Sequence, residues 1–390
     1  MYSVGAYGEM IGDRVRMHAY TQALREAVKP GSTVLDIGTG TGIFAMLATQ
    51  FGARRVYAIE PSDAIQVARD IAAASGCADR IEFIQGLSTK VTLPERVDVI
   101  ISDLRGVLPL HERHIPSIVD ARERFLAPGG RLIPLRDSLR AAVVESPVLY
   151  DRFARPWGDN THGLDMEPAR RIVTNRWGRV SAKREEILLP PQTWATLDYT
   201  RITEADVSGE ASWIAGESGT AHGLFVWFDA VMGEGAQFTN APGEPELIYG
   251  SAFFPISQPV ALDVGDKVAV TISADLVGAD YVWRWNTAVA ASANPERTKA
   301  EFKQSTFYGT PLSPAELRRT GAAYVPTLGV DGEVDRLILV LMDGANSLET
   351  IARQLVEQFP GRFASWKIAL NHVSLWSKTY SRRPGDASSV

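Results

Sequence analysis

Apolar runs alternate with amphipathic segments between Val34 and about Glu145. The runs predict strands, and the segments with apolar residues at helical spacing predict helices. In chain order we expect a strand running into Asp36, a helix over 43–51, a strand over 56–59, a helix over 64–74, strands over 81–85 and 97–102, a helix near 115–125, and strands over 132–135 and 139–145. This alternation is typical of a mostly parallel sheet covered by helices on both faces.

The period of the pattern changes after Glu145. Residues 151–175 are polar and aromatic, and they predict loops with short helical patches at best. Short β-rich runs with a period near two follow, over 187–189, 194–199, 224–232, 267–273 and 281–287. Turn residues separate these runs, so the spacing predicts an antiparallel sandwich or barrel of roughly 150 residues.

A helical pattern begins after about Thr310. Apolar residues recur at helical spacing over 335–343, Ser347 is placed to cap a second helix, and a third helix is expected near 365–380. The predicted fold class is α/β, with a Rossmann-like domain over 1–145, an antiparallel β-barrel domain over 146–305 and a small helical domain over 310–390.

The composition is that of an ordinary globular protein, with 45% hydrophobic and 22% charged residues among 390. A net charge of −6 argues against nucleic acid or an anionic membrane as a partner. The single cysteine, Cys77, excludes an internal disulfide and a cysteine-built zinc site, and no metal ligands are assigned. The first residues lack a basic region followed by an apolar run, and the apolar runs are too short to span a bilayer, so we expect a cytoplasmic protein.

A glycine-rich turn follows the first strand and carries the clearest chemical signal. Glycines at such a turn let a ligand approach the backbone, and the acid that ends the next strand, Glu60, can accept bonds from a ribose diol. The third glycine comes one residue earlier than in a dinucleotide fingerprint, and the acid before the turn, Asp36, suits a sulfonium or ammonium better than a diphosphate.

This pattern resembles motif I of class I S-adenosylmethionine-dependent methyltransferases. The resemblance implies S-adenosyl-L-methionine as the cofactor, with Asp36 and the glycines around its methionine moiety and Glu60 at its ribose. The implied cofactor-binding residues are Arg16, Asp36, Gly38, Thr39, Gly40, Gly42, Glu60, Pro61, Leu87 and Ser88.

Two acids border the segment 102–112, which follows the fourth strand and should therefore lie beside the ligand. If this loop folds back at Gly106 and Pro109, Asp103 and Glu112 face one pocket, where paired carboxylates could clamp a planar cation. The alternative is that both are surface acids and that Glu112 opens a helix.

Three segments resemble protein arginine methyltransferases over roughly residues 2–290. Residues 9–20 resemble the helix that covers the cofactor, in which Arg16 binds the cofactor carboxylate. Asp103 and Glu112 stand where the family has two catalytic glutamates, and 243–254 resembles the barrel segment with the substrate loop. The resemblance implies N-methylation of a guanidino or amino group on a peptide, a protein or an arginine-like metabolite. It also implies a head-to-tail homodimer paired through an arm near 151–175.

The chain also departs from the family pattern. Asp103 is one methylene shorter than glutamate, Arg105 replaces an apolar residue, and Thr89 stands where an adenine-side acid is usual. The Thr-His-Trp of the substrate loop is replaced by 247–249. The implied substrate pocket consists of Met10, Arg105, His111, Ile248 and Tyr249.

These departures leave several functions open. Arg105 could pair with Asp103, repel a guanidinium, or point to solvent as most arginines do. A small-molecule methyltransferase whose Arg105 grips an anionic substrate is one alternative, and a cofactor-binding peptide-recognition protein is another. Residues 337–360 resemble the small winged-helix domains of the PqqD-like group, which bind precursor peptides, although a lid or dimer brace fits the same pattern.

Overall fold

A computed structural model describes residues 2–158 and 163–382 of the chain. The chain divides into two compact units, 1–311 and 312–390. Residue 1, residues 159–162 of the predicted arm and residues 383–390 of the predicted helical domain lie outside the described residues.

Parallel strands form the first sheet, as the alternating pattern predicts. They are β1 (Thr33–Ile37), β2 (Arg55–Glu60), β3 (Ile81–Gln85), β4 (Val97–Ser102) and β5 (Leu126–Ile133), in the spatial order β3-β2-β1-β4-β5. The accompanying helices are α1 (Val4–Gly12), α2 (Arg14–Ala27), α3 (Ile43–Gln50), α4 (Ala64–Ala74) and α5 (His114–Phe125). Strand β1 is buried throughout, as expected of the central strand of a covered parallel sheet.

The strand order places three chemically important positions at one edge of this sheet. Ile37, which ends β1, lies opposite Ile59 of β2 and Ser102 of β4. The residues that follow these three positions in the chain are Gly38, Glu60 and Asp103. Because β2 and β4 flank β1 on opposite sides, this edge is the switch point at which open α/β sheets bind ligands.

Antiparallel strands make up the rest of the first unit. They are β6 (Arg136–Val144), β7 (Gly178–Val180), β8 (Gln192–Asp198), β9 (Val207–Ile214), β10 (Gly219–Val231), β11 (Gln237–Thr239), β12 (Ser251–Leu262), β13 (Lys267–Val277), β14 (Asp280–Ala291) and β15 (Asn294–Ser305). One sheet has the order β7-β12-β10-β6-β8, with β11 on β10, and the other has the order β15-β14-β13-β9. Strand β8 packs beside β9 and β12 beside β15, so the two sheets adjoin along two edges in a barrel-like arrangement.

The change from parallel to antiparallel pairing comes earlier than the pattern suggests. The strand expected over 139–145 was assigned to the parallel sheet, but β6 pairs antiparallel with β10 and β8. An apolar run shows that a strand is buried without showing which strand lies beside it, and this assignment was therefore wrong. The domain boundaries themselves stay a prediction.

The polar insert is more helical than its sequence suggests. Two helices, α6 (Pro147–Gly158) and α7 (Glu167–Val173), occupy most of its described part. Helix α6 buries one face, and the ring of Phe153 lies 5.7 Å from that of Phe253. Pro156, a residue that usually ends a helix, lies inside the last turn of α6 and hides this helix from pattern reading.

The second unit is helical. Its helices are α8 (Pro314–Arg319), α9 (Val330–Leu341), α10 (Leu348–Gln358) and α11 (Trp366–Tyr380). The Oγ of Ser347 accepts a bond of 3.1 Å from Thr350 N, so the predicted cap of α10 is confirmed. No strand occurs in residues 312–382, so the described part of this unit has helices but no wing. The resemblance to PqqD-like domains stays a prediction.

Across the described ranges, no helix combines the length and the apolar character needed to cross a membrane.

Candidate active site

The glycine turn after β1 holds the backbone in conformations that glycine adopts without strain. The φ angles of Gly38, Gly40 and Gly42 are +71°, +54° and +85°. A Cβ on Gly38 would lie 2.5 Å from Leu104 Cδ2, and a Cβ on Gly40 would overlap the ring of Tyr7. The turn is therefore covered by the loop after β4 and by helix α1.

Two carboxylates line this turn. Asp36 is buried, and its Oδ2 accepts bonds from Thr39 Oγ1 at 2.5 Å and from Ala45 N at 3.1 Å. Burial raises the pKa of Asp36 to about 7. Glu60 accepts from Gly40 N at 3.1 Å through Oε2 and from Ser62 N at 2.9 Å through Oε1. Each of these Glu60 oxygens keeps a lone pair for a further donor.

Two tyrosines near the turn escaped the sequence reading. The hydroxyl of Tyr7 lies close enough to Glu60 that burial and this carboxylate together raise its pKa. The ring of Tyr2 packs edge-on against Tyr7, with the ring centroids 6.0 Å apart. Both precede the segment 9–20 on which the family resemblance rests. Tyr7 lies in α1 and Tyr2 just before it, and a tyrosine at such a position gives no signal of its own.

Arg16 joins helix α2 to the loop after β4. Its buried guanidinium donates from Nε to Asp103 Oδ2 at 2.7 Å, and its Nη2 lies 2.5 Å from the same oxygen. Nη1 donates to the carbonyl of Met10 at 3.0 Å. Nη1 also lies 3.4 Å from the Sδ of Met17, so of the five N–H groups of the guanidinium one on Nη2 is left for an anionic ligand.

Asp103 lies among cations and a phenol. Its Oδ2 also accepts from the hydroxyl of Tyr249 at 2.7 Å, and its Oδ1 lies 3.6 Å from Arg105 Nη1. Burial opposes ionisation of Asp103, but Arg16 and Arg105 outweigh it, and the pKa of this carboxyl is lowered. Burial and the nearby Asp103 raise the pKa of Tyr249. Asp103 is thus an ionised carboxylate whose charge is already compensated.

Glu112, the second predicted acid, lies in a different environment. Its side chain is 74% exposed, and its φ of +42° is the only positive value outside glycine in the described ranges. Non-glycine residues adopt such angles at a cost and concentrate at functional sites. His111 Nε2 lies 3.8 Å from Glu112 Oε1, and the His111 ring packs against Gly106.

The two predicted acids do not contact each other in the described structure. Burial raises the pKa of the Tyr2 hydroxyl, and the negative charges of Glu112 and Asp103 raise it further. Tyr2 therefore lies near both carboxylates. The pairing of the acids as a clamp stays a prediction.

Arg105 does not point to solvent, as its residue type suggested. Its guanidinium is fully buried, and Nε and Nη2 each donate to Asp137 at 2.8 Å. Nη1 donates to the hydroxyl of Tyr20 at 2.6 Å, and the cation lies 5.5 Å from the ring centroid of Phe228. Asp137 belongs to β6, so only the pairing of β6 with the antiparallel sheet explains why this arginine is buried.

The ion pair continues into a buried polar network. The hydroxyl of Tyr199 donates to Asp137 Oδ2 at 2.6 Å and lies 3.1 Å from His114 Nε2. Burial and the neighbouring Arg105 lower the pKa of His114 to about 3, so its ring is neutral at neutral pH. This network joins α5, β6 and the turn after β8, and its members are too far apart in sequence to form a motif.

The predicted substrate loop at 247–249 is tied to helix α2 by one carboxylate. Asp13 Oδ2 accepts from Ile248 N at 2.9 Å, while its Oδ1 caps α2 by accepting from Arg16 N at 3.0 Å. Ile248 stands where the family resemblance leads one to expect a histidine. Its contact with Asp13 is therefore made by its backbone N–H and not by its side chain.

The remaining predicted cofactor residues lie along the same edge of the sheet. Thr39 and Ser88 are buried, whereas Pro61 and Leu87 are exposed. A Cβ on Gly42 would lie 2.9 Å from Ala68 Cβ, so this glycine allows α3 to pack closely on α4.

Sequence comparison identifies the family. A family model for ribosomal protein L11 methyltransferase (PrmA) matches residues 18–133, from α2 to the end of β5. Protein arginine N-methyltransferase 6 of Danio rerio is 34% identical over 237 residues, which cover 58% of this chain and 68% of that protein. The chain belongs to the protein arginine methyltransferase family. The resemblance drawn from residues 9–20, Asp103, Glu112 and 243–254 is confirmed at this level.

Further relatives show the extent of the match. The probable histone-arginine methyltransferase CARM1 of Oryza sativa subsp. indica is 33% identical over 275 residues, covering 66% of this chain and 52% of that one. The chain thus spans about half the length of the first curated relatives it matches. The structure of the Trypanosoma brucei PRMT1 enzyme-prozyme complex with AdoHcy has a TM-score of 0.71 at 22% identity, over 78% of this chain and 98% of that chain. At this identity the likeness shows a shared fold.

Proposed function

We propose that this arginine methyltransferase family member transfers a methyl group from S-adenosyl-L-methionine to a guanidino nitrogen of arginine in a protein or peptide. The observation that carries the proposal is the contact of Arg16 with Asp103, at 2.7 Å. It joins α2, which directly follows the helix that covers the glycine turn, to the loop that bears Glu112.

The residues at the strand edge fit the cofactor. The glycines hold the turn at positive φ angles, Glu60 keeps lone pairs for ribose hydroxyls, and Arg16 keeps an N–H group for a carboxylate. Asp36, buried beside the turn, gains stability in its ionised form when a cation binds nearby. When bound, S-adenosylmethionine supplies an electrophilic methyl carbon on a sulfonium. The AdoHcy in the Trypanosoma brucei complex agrees with this assignment.

The acceptor side of the proposal depends on Glu112. Asp103 is compensated by Arg16 and Arg105, so the exposed Glu112 supplies the uncompensated negative charge at this loop. Its carboxylate orients a guanidinium by charge-assisted bonds, and its exposure allows the displaced proton to pass to water. Methyl transfer then requires chiefly the alignment of nitrogen and methyl carbon, which positioning supplies.

The position of Arg105 argues against its binding an anionic substrate. Asp137 and Tyr20 accept hydrogen bonds from all three nitrogens of this guanidinium, which is fully buried. A small-molecule methyltransferase of that kind is therefore not favoured by the geometry.

The proposal is tested by incubating the protein with isotopically labelled S-adenosylmethionine and arginine-containing peptides, followed by mass spectrometry. We expect methylarginine in the peptides and a thermal shift with S-adenosylhomocysteine. The proposal is contradicted if millimolar S-adenosylhomocysteine leaves the melting temperature unchanged and no peptide is labelled.

We also propose that the protein is a cytoplasmic homodimer paired through α6 and α7. The amphipathic α6, with several of its outward residues exposed, supports a pairing role, and a lone buried cysteine suits a reducing compartment. Sedimentation equilibrium tests the dimer, and cell fractionation tests the location. A monomer at micromolar concentration, or recovery outside the cytoplasmic fraction, contradicts the corresponding part.

A further inference from the structure

An open groove of about 560 Å³ lies between the N-terminal helices and the substrate loop. Its walls come from α1 and α2, from β7 and from the segment before Tyr249. The lining residues are Glu9, Gly12, Asp13, Arg14, Val15, Arg179, Glu246, Leu247 and Ile248.

This groove shares a wall with the proposed acceptor site. The bond from Ile248 N to Asp13 Oδ2 crosses the wall. Tyr249 follows Ile248 in the chain, and Asp13 accepts a hydrogen bond from the backbone N–H of Arg16. The side chains of Tyr249 and Arg16 both donate to Asp103. Two residues of the groove wall, Asp13 and Ile248, are therefore linked directly to the two residues that bind Asp103.

The charges in the groove differ from those in the buried site. Arg14, Arg179 and Glu9 are exposed, and the structure gives their side chains no hydrogen bond or ion pair within the described ranges. Glu246 accepts one long bond of 3.4 Å from Ser181 Oγ. By contrast, Arg16 and Arg105 are both bound by carboxylates. The groove thus offers two guanidinium groups that are free to bind an anion.

We propose that this groove binds a carboxylate of the acceptor, so that the preferred substrate is a guanidino compound with an acidic group near its guanidinium. Arg14 and Arg179 bind the carboxylate, and Glu9 accepts from an ammonium or amide N–H beside it. A purely cationic acceptor is attracted by Glu9 and Glu246 but repelled by the two arginines, whereas an acceptor with both charges matches both pairs. This inference rests on the proposed function.

The carboxylate could belong to an acidic residue next to the arginine in a peptide, or to the arginine itself. Two matched pairs of acceptors distinguish these sources. L-arginine and agmatine differ only in the carboxylate, and a peptide with Arg-Glu differs from one with Arg-Gln only in one charge. We expect the acidic member of at least one pair to have about tenfold higher kcat/KM, since one charge-assisted contact is worth about a factor of ten.

The double variant Arg14→Gln/Arg179→Gln tests the groove directly. It should abolish the preference by raising KM for the acidic acceptor toward that of its neutral partner. Arg201→Gln, at an exposed arginine whose side chain pairs with Asp198, is the matched control and should keep the preference. The same peptides are titrated calorimetrically into the protein with S-adenosylhomocysteine, so that the groove is tested even without turnover.

The outcomes separate the two proposals. If both members of each pair are methylated at equal rates, or if the preference survives the double variant, the proposed role of the groove is wrong. The proposed function still holds in that case. If no acceptor is methylated but the acidic peptides bind more tightly than the neutral ones, the role of the groove is supported and the proposed function is wrong. Absence of both overturns both.

Discussion

Arg105 and Asp137 are joined by two parallel hydrogen bonds, each of 2.8 Å, in the interior of the first unit. The arginine belongs to the loop after the parallel strand β4, and the aspartate belongs to the antiparallel strand β6. This bidentate pair therefore fixes the loop that carries Asp103 and Glu112 to the second sheet.

Removal of one member of this pair should be far more damaging than removal of both. Arg105→Met leaves Asp137 buried without its cation, and we expect a loss of about 3–5 kcal/mol in the free energy of unfolding. The double variant Arg105→Met/Asp137→Leu should lose less than either single variant, since no buried charge is left. Denaturant unfolding measures these energies, and losses that simply add would show that the pair is not coupled. The control Arg201→Met, at an exposed ion pair, should cost less than about 1 kcal/mol.

Glu112 should affect turnover without affecting stability. Glu112→Gln keeps the shape of the side chain and removes its charge, and we expect kcat to fall about 100-fold, a typical loss for one electrostatic group at a reacting centre. Because the side chain is largely exposed, the melting temperature should stay close to that of the unaltered protein. The control Glu123→Gln changes another exposed acid, in α5, and should keep full activity. Unchanged turnover in Glu112→Gln would remove the acceptor role.

His114 should make the protein less stable in mild acid. The unfolded chain takes up a proton on this ring below its ordinary pKa of 6.5, whereas the folded protein does so only near pH 3. Stability from this group is therefore present at neutral pH and is lost as the pH falls from about 6.5 toward 3. At pH 5 the expected loss is about 2 kcal/mol.

The variant His114→Gln isolates this effect because glutamine does not titrate. Unfolding by urea at pH 7 and pH 5 should show a smaller difference for the variant than for the unaltered protein. An equal pH dependence in the two proteins would show that His114 becomes protonated in the folded state.

Gly40 should be essential for cofactor binding. Gly40→Ala meets both a positive φ and the ring of Tyr7, so the turn must distort or helix α1 must move. Gly31→Ala is the matched control, because Gly31 also has a positive φ but open space around its Cβ. We expect the thermal shift with S-adenosylhomocysteine to be lost in Gly40→Ala and kept in Gly31→Ala, even though both variants lose some stability. An equal shift in both would show that cofactor binding does not depend on the backbone conformation at Gly40.

Local patterns were sufficient for the parts of the fold that depend on neighbours in sequence. The helix over 64–74 and the strands over 81–85 and 97–102 are found where the apolar periodicity places them. The cap at Ser347 also depends on a short stretch of chain. The insert at 151–175 is more helical than predicted, because Pro156 and the polar residues around it obscure the apolar pattern of helix α6.

The amino-acid sequence by itself determined the alternation of strands and helices, the glycine turn and the family to which the chain belongs. These features depend on spacing over a few residues, which burial and backbone conformation dictate directly. Only the tertiary structure decided that Arg16 binds Asp103, that Arg105 is buried on Asp137 and that Glu112 remains exposed. The reason is physical, since a charged side chain can be buried only where a distant partner compensates it, and that partner is set by which strands lie side by side.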